Sequence, residues 1–414
     1  MDRIRLGLVG CGGMGTRHLY GLRELAQTPF DNVELCGLCD VRRENADLAA
    51  EEAEKLLGIR PQVFTSLGEM AQELPDLDAV DVVTDPSVHQ DVVCEALDAG
   101  LHVMVEKPMA VTVKACRQMV ESAGRNNRIL SVAENFRRDP SARLVRHLLA
   151  TGAIGTPYMA LFHSQSAGDH IFITPWRHLK ERGGFLLDMG VHFTDMIRYQ
   201  LGDIDEVYGD VRLIEPVRRK SGLITADYTF YRRRAEAMDI EIDPTAEDTS
   251  QAMFKMENGV TVSWMAGISG HGGSGRQLIL GDRGCIEGFG TRAGRVSLKL
   301  DDRETMTQEQ ILETVEDFEL DPLTSHLFPS GVSAGDDRAD WKLIAIEYHE
   351  LAEAVAHGRN VEVNGTEGLK DVAAIYAIFE SHRAGRAVKL SEVETCQVYE
   401  YQAEIDAALG IDQP

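Results

Sequence analysis

Short apolar runs alternate with longer segments of helical spacing through the first third of the chain. The first run, "IRLGLV" at Ile4–Val9, is rich in branched residues, which is typical of a buried parallel strand. The other runs predict strands at 33–39, 63–64, 79–84, 101–105 and 129–133, and the segments between them predict helices at 18–27, 44–57, 67–73, 88–99 and 112–126. Strands that alternate with helices across short connections predict an α/β fold with a doubly wound parallel sheet.

The pattern changes beyond about residue 135, where longer segments alternate with period two. The segments that predict strands in this part are "EVYGDVRLI", "SQAMFKMENGVTVSWMAGI", "RQLILGDRGCIEGF" and "RVSLKL", preceded by a strand at 155–163. Helices are predicted at 141–150, 185–200, 342–356 and 365–384. Together these features predict an α+β domain with a large, open, mostly antiparallel sheet. The acidic, irregular segment 301–335 is interpreted as a surface loop.

The length of the chain supports two domains. It has 414 residues, whereas a single hydrophobic core rarely grows past about 250–300 residues. We place the boundary where the pattern changes. The prediction is a nucleotide-binding domain at 1–134 and a second domain at 135–414.

The turn after the first predicted strand carries the motif G-x-G-x-x-G at Gly10, Gly12 and Gly15. In such a turn the first glycine allows the tight bend, the second lets a pyrophosphate approach the backbone, and the third lets helix and strand pack closely. Taken alone, the motif is equally compatible with a glycine-rich turn that binds nothing. Its position between a strand and a helix of a βαβ unit favours a dinucleotide site.

An acid follows the second predicted strand at the position expected for ribose recognition. Asp40 lies 25 residues beyond Gly15, and a carboxylate there accepts hydrogen bonds from the adenosine ribose hydroxyls and repels a 2′-phosphate. Asp40 therefore favours NAD. Arg42 and Arg43 follow directly and are able to bind a 2′-phosphate, so NADP stays open.

Charge and composition exclude several other classes of protein. The formal net charge is −25, which argues against a nucleic-acid partner. Two short basic clusters, at 218–220 and 232–234, are interpreted as solvated loop charges. No segment is long and apolar enough to span a membrane, and no apolar leader precedes the first strand, so we expect a cytoplasmic protein without membrane contact.

Three residues are candidates for the chemistry of alcohol oxidation. Taken alone, their patterns are more often a solvated lysine beside a turn-forming proline and an ordinary acid with a packed histidine. Lys107 follows a predicted strand at its carboxyl end, the edge at which doubly wound sheets bind ligands. Asp188 and His192 are four residues apart on a predicted helix and so face one direction. His192 is the natural proton carrier, because the unperturbed pKa of histidine is about 6.5. Asp188 is expected to orient His192, to hold a substrate hydroxyl, or to offset the charge of Lys107.

Several polar and aromatic residues are candidates for substrate contact, because aromatic faces pack on sugar rings and polar groups bond hydroxyls. Packing roles are equally compatible with the sequence for most of them. With Lys107, Asp188 and His192, the candidates are Asn135, Arg137, His163, Trp176 and Arg177. The histidine spacings match no compact ligand set, so no metal is predicted.

Several motifs together resemble the Gfo/Idh/MocA oxidoreductase family. They are "GLVGCGGMGTRH", "DPSVHQDVVCEALDAGLHVMVEKPM", "ENFRRDP" and "GGFLLDMGVHFTDMIRYQLG", in the family's order. The resemblance implies an N-terminal Rossmann domain, a nicotinamide cofactor, sugar or cyclitol substrates, and a homodimer or homotetramer formed through the open sheet. It also implies that Lys107 points at the reacting hydroxyl beside a cis Lys107–Pro108 bond, and that Asp188 and His192 are catalytic.

The same resemblance implies that the loop Thr84, Asp85 and His89 lies against the ribose and nicotinamide, although an acid is unusual at Asp85. The full set of predicted cofactor contacts is Gly10, Cys11, Gly12, Gly13, Met14, Gly15, Asp40, Arg42, Arg43, Thr84, Asp85, His89, Glu106 and Lys107.

Three functions are compatible with these residues. The first is an NAD(P)-dependent oxidoreductase that transfers a hydride between a secondary hydroxyl of a sugar, glycoside or cyclitol and nicotinamide. The second is a glycosidase that oxidises the ring, eliminates and reduces again with tightly held NAD. The third is an NAD-binding sensor without catalysis, which the presence of Lys107, Asp188 and His192 disfavours.

Overall fold

Two sheets of different type organise the chain. The computed structural model describes residues 3–220, 236, 238–301 and 303–411. The first sheet is built from six strands, β1 Ile4–Val9, β2 Val33–Cys39, β3 Gln62–Phe64, β4 Ala79–Val82, β5 His102–Glu106 and β6 Leu130–Ala133. The helices between them are α1 Gly13–Ala26, α2 Arg43–Leu57, α3 Leu67–Glu73, α4 His89–Asp98 and α5 Val113–Asn126. Every strand and helix predicted before residue 135 is present.

The first sheet is parallel throughout, with the strand order β3-β2-β1-β4-β5-β6. Strand β1 pairs with β2 on one side and with β4 on the other, so the winding direction reverses beside β1. The crevice at the carboxyl ends of β1 and β4 is the place where such sheets bind ligands. The Rossmann fold expected from the sequence is confirmed.

The second sheet has nine strands in the described residues, in the order β16-β15-β14-β13-β7-β12-β11-β8-β17. The strands that form it are β7 Pro157–Ser166, β8 Ile204–Arg212, β11 Thr249–Met256, β12 Thr261–Ile268, β13 Ser274–Gly281, β14 Gly284–Glu287, β15 Ser297–Leu300, β16 Met306–Thr307 and β17 Val388–Lys389. A short separate pair, β9 Arg218–Arg219 and β10 Glu241–Ile242, lies outside it. All neighbouring strands of the large sheet are antiparallel except β7 and β12, which are parallel. This matches the predicted open, mostly antiparallel sheet.

The remaining helices are α6 Pro140–Ala150, α7 Gly184–Leu201, α8 Gln308–Thr314, α9 Pro322–Leu327, α10 Ala339–His357, α11 Gly365–Ala384, α12 Leu390–Glu394 and α13 Glu400–Leu409. One face of the large sheet packs against α7 and α11, and its core contains the buried rings of Phe162, Phe254 and Trp264. The opposite face exposes apolar side chains, among them Met253 and Tyr208, which are cross-strand neighbours.

The segment 301–335 is not the plain loop that its acidity suggested. It contains β16, α8 and α9, and Thr307 begins α8 with a reciprocal capping box to Gln310. Ile311 and Leu323 are buried and anchor the two helices. The apolar residues that drive this folding are too widely spaced among acids to give a periodic signal. No element was predicted after residue 384, where β17, α12 and α13 lie.

Helix α10 belongs to the second half of the sequence but packs on the first sheet's layer. Its buried Leu343, Ile344 and Tyr348 share one apolar cluster with Leu19 and Leu22 of α1. The chain therefore returns to cover the first sheet after the large sheet has been built. The domain boundary between residues 134 and 135 stays a prediction.

One basic cluster differs from its interpretation as solvated charge. Arg218 is fully buried, and its guanidinium donates to Asp248 at 2.8 Å and to the carbonyl oxygens of Gly168 and Ile268. The cluster at 232–234 lies outside the described residues. A search of the described helices finds none with the length and apolar character needed to cross a membrane.

Candidate active site

The residues predicted to carry the chemistry converge at the carboxyl edge of the first sheet. Lys107 directly follows β5, and its bond to Pro108 is cis, as expected. Asp188 and His192 lie on the second and third turns of α7, with exposed fractions of 3% and 6%. Helix α7 thus brings two side chains from beyond residue 135 to the strand ends of the first sheet.

The glycine turn has the geometry of a phosphate cradle. Gly10 has a φ of 103°, and a Cβ there would lie 2.5 Å from the carbonyl oxygen of Val83. A Cβ at Gly15 would lie 2.1 Å from the carbonyl oxygen of Gly10, so only glycine fits at this position of α1. Gly12 precedes α1 and has no side chain to cap it. The first amides of α1 are therefore open to an anion such as a pyrophosphate.

Asp40 is held by the same turn. Its Oδ2 accepts the backbone N–H of Cys11 at 2.9 Å, and its Oδ1 accepts the backbone N–H of Arg42 at 2.8 Å and the amide of Asn45 at 3.2 Å. These bonds fix the carboxylate beside the crevice, where lone pairs remain for ribose hydroxyls. Arg42 and Arg43 are exposed beyond it. The arrangement fits a dinucleotide with a free ribose diol.

Three side chains of the loop that follows β4 were predicted to contact the cofactor. One of them is open to a ligand, and the other two bond within the protein. The hydroxyl of Thr84 is buried and has no hydrogen-bond partner among the described residues. Asp85 accepts from Ser87 and from Arg182, so its carboxylate shapes the loop. His89 is fully buried, with its ring nitrogens 3.1 Å from the Pro108 oxygen and 3.2 Å from the Thr84 oxygen. His89 therefore joins this loop to the turn of Lys107, a positioning role that the sequence did not indicate.

One carboxylate oxygen of Glu106 contacts the buried ring of His18. Its Oε1 lies 3.3 Å from Nε2 of His18, whose Nδ1 is 2.7 Å from Asp81 and 3.1 Å from the hydroxyl of Tyr348. Burial alone would lower the pKa of His18, but the carboxylates of Asp81 and Glu106 raise it to about 10. His18 is thus a buried cation that ties β4, β5 and α10 together.

Asp188 is clamped by two cations. Lys107 donates from Nζ to the Asp188 backbone oxygen at 3.0 Å and to its Oδ1 at 3.2 Å, and Arg177 donates from Nε to its Oδ2 at 2.7 Å. Burial opposes the charge, yet Arg177 and Lys107 hold the pKa of Asp188 well below its ordinary value. Of the expected roles of Asp188, offsetting the charge of Lys107 is the one that these contacts support. Orienting His192 is not.

The partner of His192 is Glu134, a residue that the sequence analysis placed in a motif without a role. Both carboxylate oxygens of Glu134 lie 2.8 Å from Nδ1 of His192. The ring of Phe136 stacks on the imidazole with centroids 4.0 Å apart and planes 5° apart. The only sequence signal was an acid at the carboxyl end of the sixth predicted strand.

Burial and cations keep His192 neutral. Desolvation, followed by the charges of Lys107 and Arg292, lowers its pKa well below the ordinary value. Burial raises the pKa of Glu134 to about 7. An unprotonated imidazole beside a lysine is suited to accept a hydroxyl proton.

The predicted substrate residues separate into three groups. Trp176 and Arg177 lie at the site, with the guanidinium 4.2 Å from the indole centroid. Asn135 and Arg137 follow β6, but Arg137 is buried in an ion pair with Asp195, and Asn135 donates to Asp340 at 3.3 Å.

His163 is not brought to the site. It bonds Ser263 at 3.2 Å, and its neighbour Phe162 is the residue of β7 that faces the helices. Because side chains alternate along a strand, His163 points from the opposite, open face of the large sheet. Within one chain His163 therefore lies away from the site, and its role in substrate contact stays a prediction.

The site as a whole combines a cradle for a dinucleotide, a neutral histidine and a charge-balanced lysine. Nowhere in the described ranges do three or more potential ligand side chains group as a metal site would require. The chemistry that these parts support is removal of a hydroxyl proton next to a hydride acceptor.

Comparison with known proteins agrees with this chemistry. The description "Oxidoreductase family, NAD-binding Rossmann fold" matches residues 4–134, and the C-terminal domain of the GFO/IDH/MocA group matches residues 142–287. D-apiose dehydrogenase of Paraburkholderia graminis is 26% identical over 396 residues, which cover 95% of this chain and 92% of that protein. Levoglucosan dehydrogenase of Pseudarthrobacter phenanthrenivorans is 26% identical over 408 residues, 96% of this chain and 100% of that protein. A solved structure of levoglucosan dehydrogenase in complex with NADH is 22% identical and shares the fold, with a TM-score of 0.73 over 94% of this chain and 99% of that one.

Proposed function

The chain belongs to the Gfo/Idh/MocA oxidoreductase family, and from that premise we propose that it transfers a hydride between a secondary hydroxyl of a sugar, glycoside or cyclitol and nicotinamide. The family is described as oxidoreductases with an NAD-binding Rossmann fold, and both relatives are named dehydrogenases. The finer proposal concerns which residues handle the proton and what kind of substrate enters. The observation that carries it is the grouping of Lys107, Asp188 and His192 beside the glycine cradle.

The dinucleotide would be held by the turn Gly10–Gly15, by Asp40 at its ribose and by the loop at Thr84. The unpartnered Thr84 hydroxyl and the uncapped start of α1 support this assignment, because buried polar groups normally find a partner. When bound, NAD supplies the acceptor for the hydride that leaves the substrate carbon. Asp40 favours NAD over NADP.

Lys107 and His192 divide the handling of the hydroxyl. Lys107 donates two of its N–H groups to Asp188. The third is left to donate to the substrate oxygen, where the charge of Lys107 stabilises the developing alkoxide. His192 takes the hydroxyl proton. Asp188 keeps Lys107 in place. Its negative charge offsets the positive charges of Lys107 and Arg177, which both contact it.

A small neutral carbohydrate fits the groups around these residues. Trp176 offers an aromatic face stiffened by Arg177, and Asn135 has a buried side-chain oxygen with no partner in the part of the chain that the structure describes. Both suit a ring that carries several hydroxyls. The relatives named for D-apiose and levoglucosan point to the same class.

A homodimer or homotetramer through the open face of the large sheet is part of the proposal. Tyr208, with an exposed fraction of 59%, and Met253, with 49%, lie side by side on that face. Apolar patches of this kind commonly mark an interface between subunits. Light scattering coupled to gel filtration measures the mass, and Met253→Lys is expected to reduce it to that of one chain, 45.7 kDa. An unchanged mass in the variant would place the interface elsewhere.

The first test is the near-ultraviolet absorbance of NADH with purified protein, NAD or NADP, and a panel of inositols, sugars and glycosides. A rise over many turnovers supports the proposal and names the substrate and cofactor. Release of sugar from a glycoside without net NADH would instead indicate the redox glycosidase. Absence of both, with NAD bound, would indicate the sensor.

A further inference from the structure

Glu134 lies directly behind His192 and has no role in the mechanism described so far. It follows β6, has an exposed fraction of 2% and lies against Nδ1 of His192. We propose that Glu134 is a positioning and proton-relay residue: it holds Nδ1 of His192 so that Nε2 serves the substrate, and it takes the Nδ1 proton when Nε2 is protonated. The relay role rests on the proposed function, whereas the positioning role does not.

The geometry fixes the imidazole in two directions. In its plane, both oxygens of Glu134 are 2.8 Å from Nδ1, which is the distance of a charge-assisted hydrogen bond. Across its plane, Phe136 stacks on the ring. The Phe136 backbone N–H also donates to Oε1 of Glu134 at 3.0 Å. One three-residue turn, Glu134–Phe136, therefore sets both the position and the tilt of His192.

This contact also decides which nitrogen is the base. A carboxylate only accepts hydrogen bonds, so the proton of neutral His192 belongs on Nδ1. Nε2 then carries the free lone pair. Among the described residues no group is found to bond Nε2, which leaves it for a substrate hydroxyl.

Charged groups from every surrounding element act on the pair. They are Glu106 at the end of β5, Lys107 after it, Arg137 after β6, Asp188 and Asp195 on α7, Arg292 before β15 and Glu347 on α10. Their combined effect, after burial, is a carboxyl whose pKa is raised to about 7 beside a histidine whose pKa is lowered. Both shifts act in the same sense, because each favours the neutral form of its group.

The relay balances with the oxidation already proposed. The substrate O–H bond breaks and an N–H bond forms at Nε2, while the Nδ1–H bond breaks and an O–H bond forms at Glu134. The electron pair left on the substrate oxygen would form the carbonyl, and a bound nicotinamide would supply the hydride acceptor. His192 ends neutral, with its proton on Nε2, and Glu134 ends as the neutral acid.

Sugar oxidation measured against pH tests the relay. In the natural protein, kcat should fall as pH drops through about 7, because protonated Glu134 no longer accepts. Glu134→Gln keeps the shape and a hydrogen-bond acceptor but takes no proton, so we expect kcat to fall about 10²-fold with little change in KM, and the pH step near 7 to disappear. Glu134→Asp should recover part of kcat together with a pH step.

The matched control is Glu380→Gln, the same change at a fully buried glutamate that bonds Tyr401 and Gln402 away from the site. It should keep both kcat and the pH step. Natural kcat and an unchanged step in Glu134→Gln would overturn the relay. Equal losses in the Gln and Asp variants, with the step retained, would also overturn it, since they indicate a packing role.

A second measurement needs neither substrate nor cofactor and so separates this inference from the proposed function. In ¹⁵N-histidine-labelled protein, the His192 signals are assigned by comparison with His192→Asn. At pH 8 the proton should be on Nδ1 and absent from Nε2, and the ring signals should respond to a titration near pH 7 that Glu134→Gln removes. A proton on Nε2 at pH 8 would overturn the assignment, whatever the enzyme oxidises.

Discussion

Replacing Gly15 by alanine tests the cofactor cradle most directly. The new Cβ would lie 2.1 Å from the Gly10 carbonyl oxygen, whereas real Cβ atoms essentially never come within 3.0 Å of another heavy atom. Neither partner is a flexible side chain, so the start of α1 must move by about 1 Å relative to the turn. A displacement of about 1 Å in a site that depends on oriented groups weakens its function by about 10²-fold.

The expected result is therefore an NADH dissociation constant raised about 10²-fold, with a stability loss of about 1–3 kcal/mol from overpacking. Fluorescence titration with NADH measures the first quantity, and thermal unfolding with and without NAD measures both. Because ligand stabilisation follows the ratio of ligand concentration to dissociation constant, the shift of Tm by NAD should shrink in the variant.

Gly124→Ala is the matched control. Gly124 also lies inside a helix, α5, but a Cβ there meets no atom within 4 Å. This variant should bind NADH normally and gain about 0.5–1 kcal/mol of stability, because alanine favours helix over glycine. A folded Gly15→Ala protein that binds NADH as tightly as this control would refute the assignment of the turn to the phosphates.

Three further outcomes are expected. Lys107→Ala should abolish NADH formation while leaving the NADH dissociation constant within about threefold, and unaltered turnover would refute its contact with the hydroxyl. Asp40→Asn should raise the ratio of NADP to NAD turnover about tenfold, because the charge that repels a 2′-phosphate is lost while an acceptor remains; a ratio that stays constant contradicts this. Arg218→Met should cost about 3–5 kcal/mol in urea unfolding, since Asp248 is left as an unpaired buried charge; a loss below 1 kcal/mol would show that Asp248 is relieved otherwise.

The first sheet could be predicted because each of its signals is local. A branched apolar run, a glycine turn and an amphipathic helix follow one another within about thirty residues, and each reports its own conformation. The start of α1 was placed five residues late because Gly13 and Gly15 are poor helix formers. Their presence in the helix is decided by the close approach of backbones, which is a tertiary effect.

Contacts in the site could be predicted from the sequence only between residues of the same helix or strand. Asp188 and His192 were found through their spacing on one helix. Glu134 and His192 are 58 positions apart, and their contact depends on how α7 lies across the end of β6. The face of β7 that carries His163 could not be assigned either, because alternation marks two faces without telling which one meets the helices.

The return of helix α10 to the first sheet bears on how the chain is made. Leu19, Leu22 and Leu25 of α1 emerge from the ribosome early, yet their covering partners Leu343 and Ile344 are synthesised more than 300 residues later. At about 5–20 residues per second, this apolar surface waits for tens of seconds. A chain that ends before residue 339 lacks this cover, so we expect such a fragment to aggregate rather than to fold as a small NAD-binding protein.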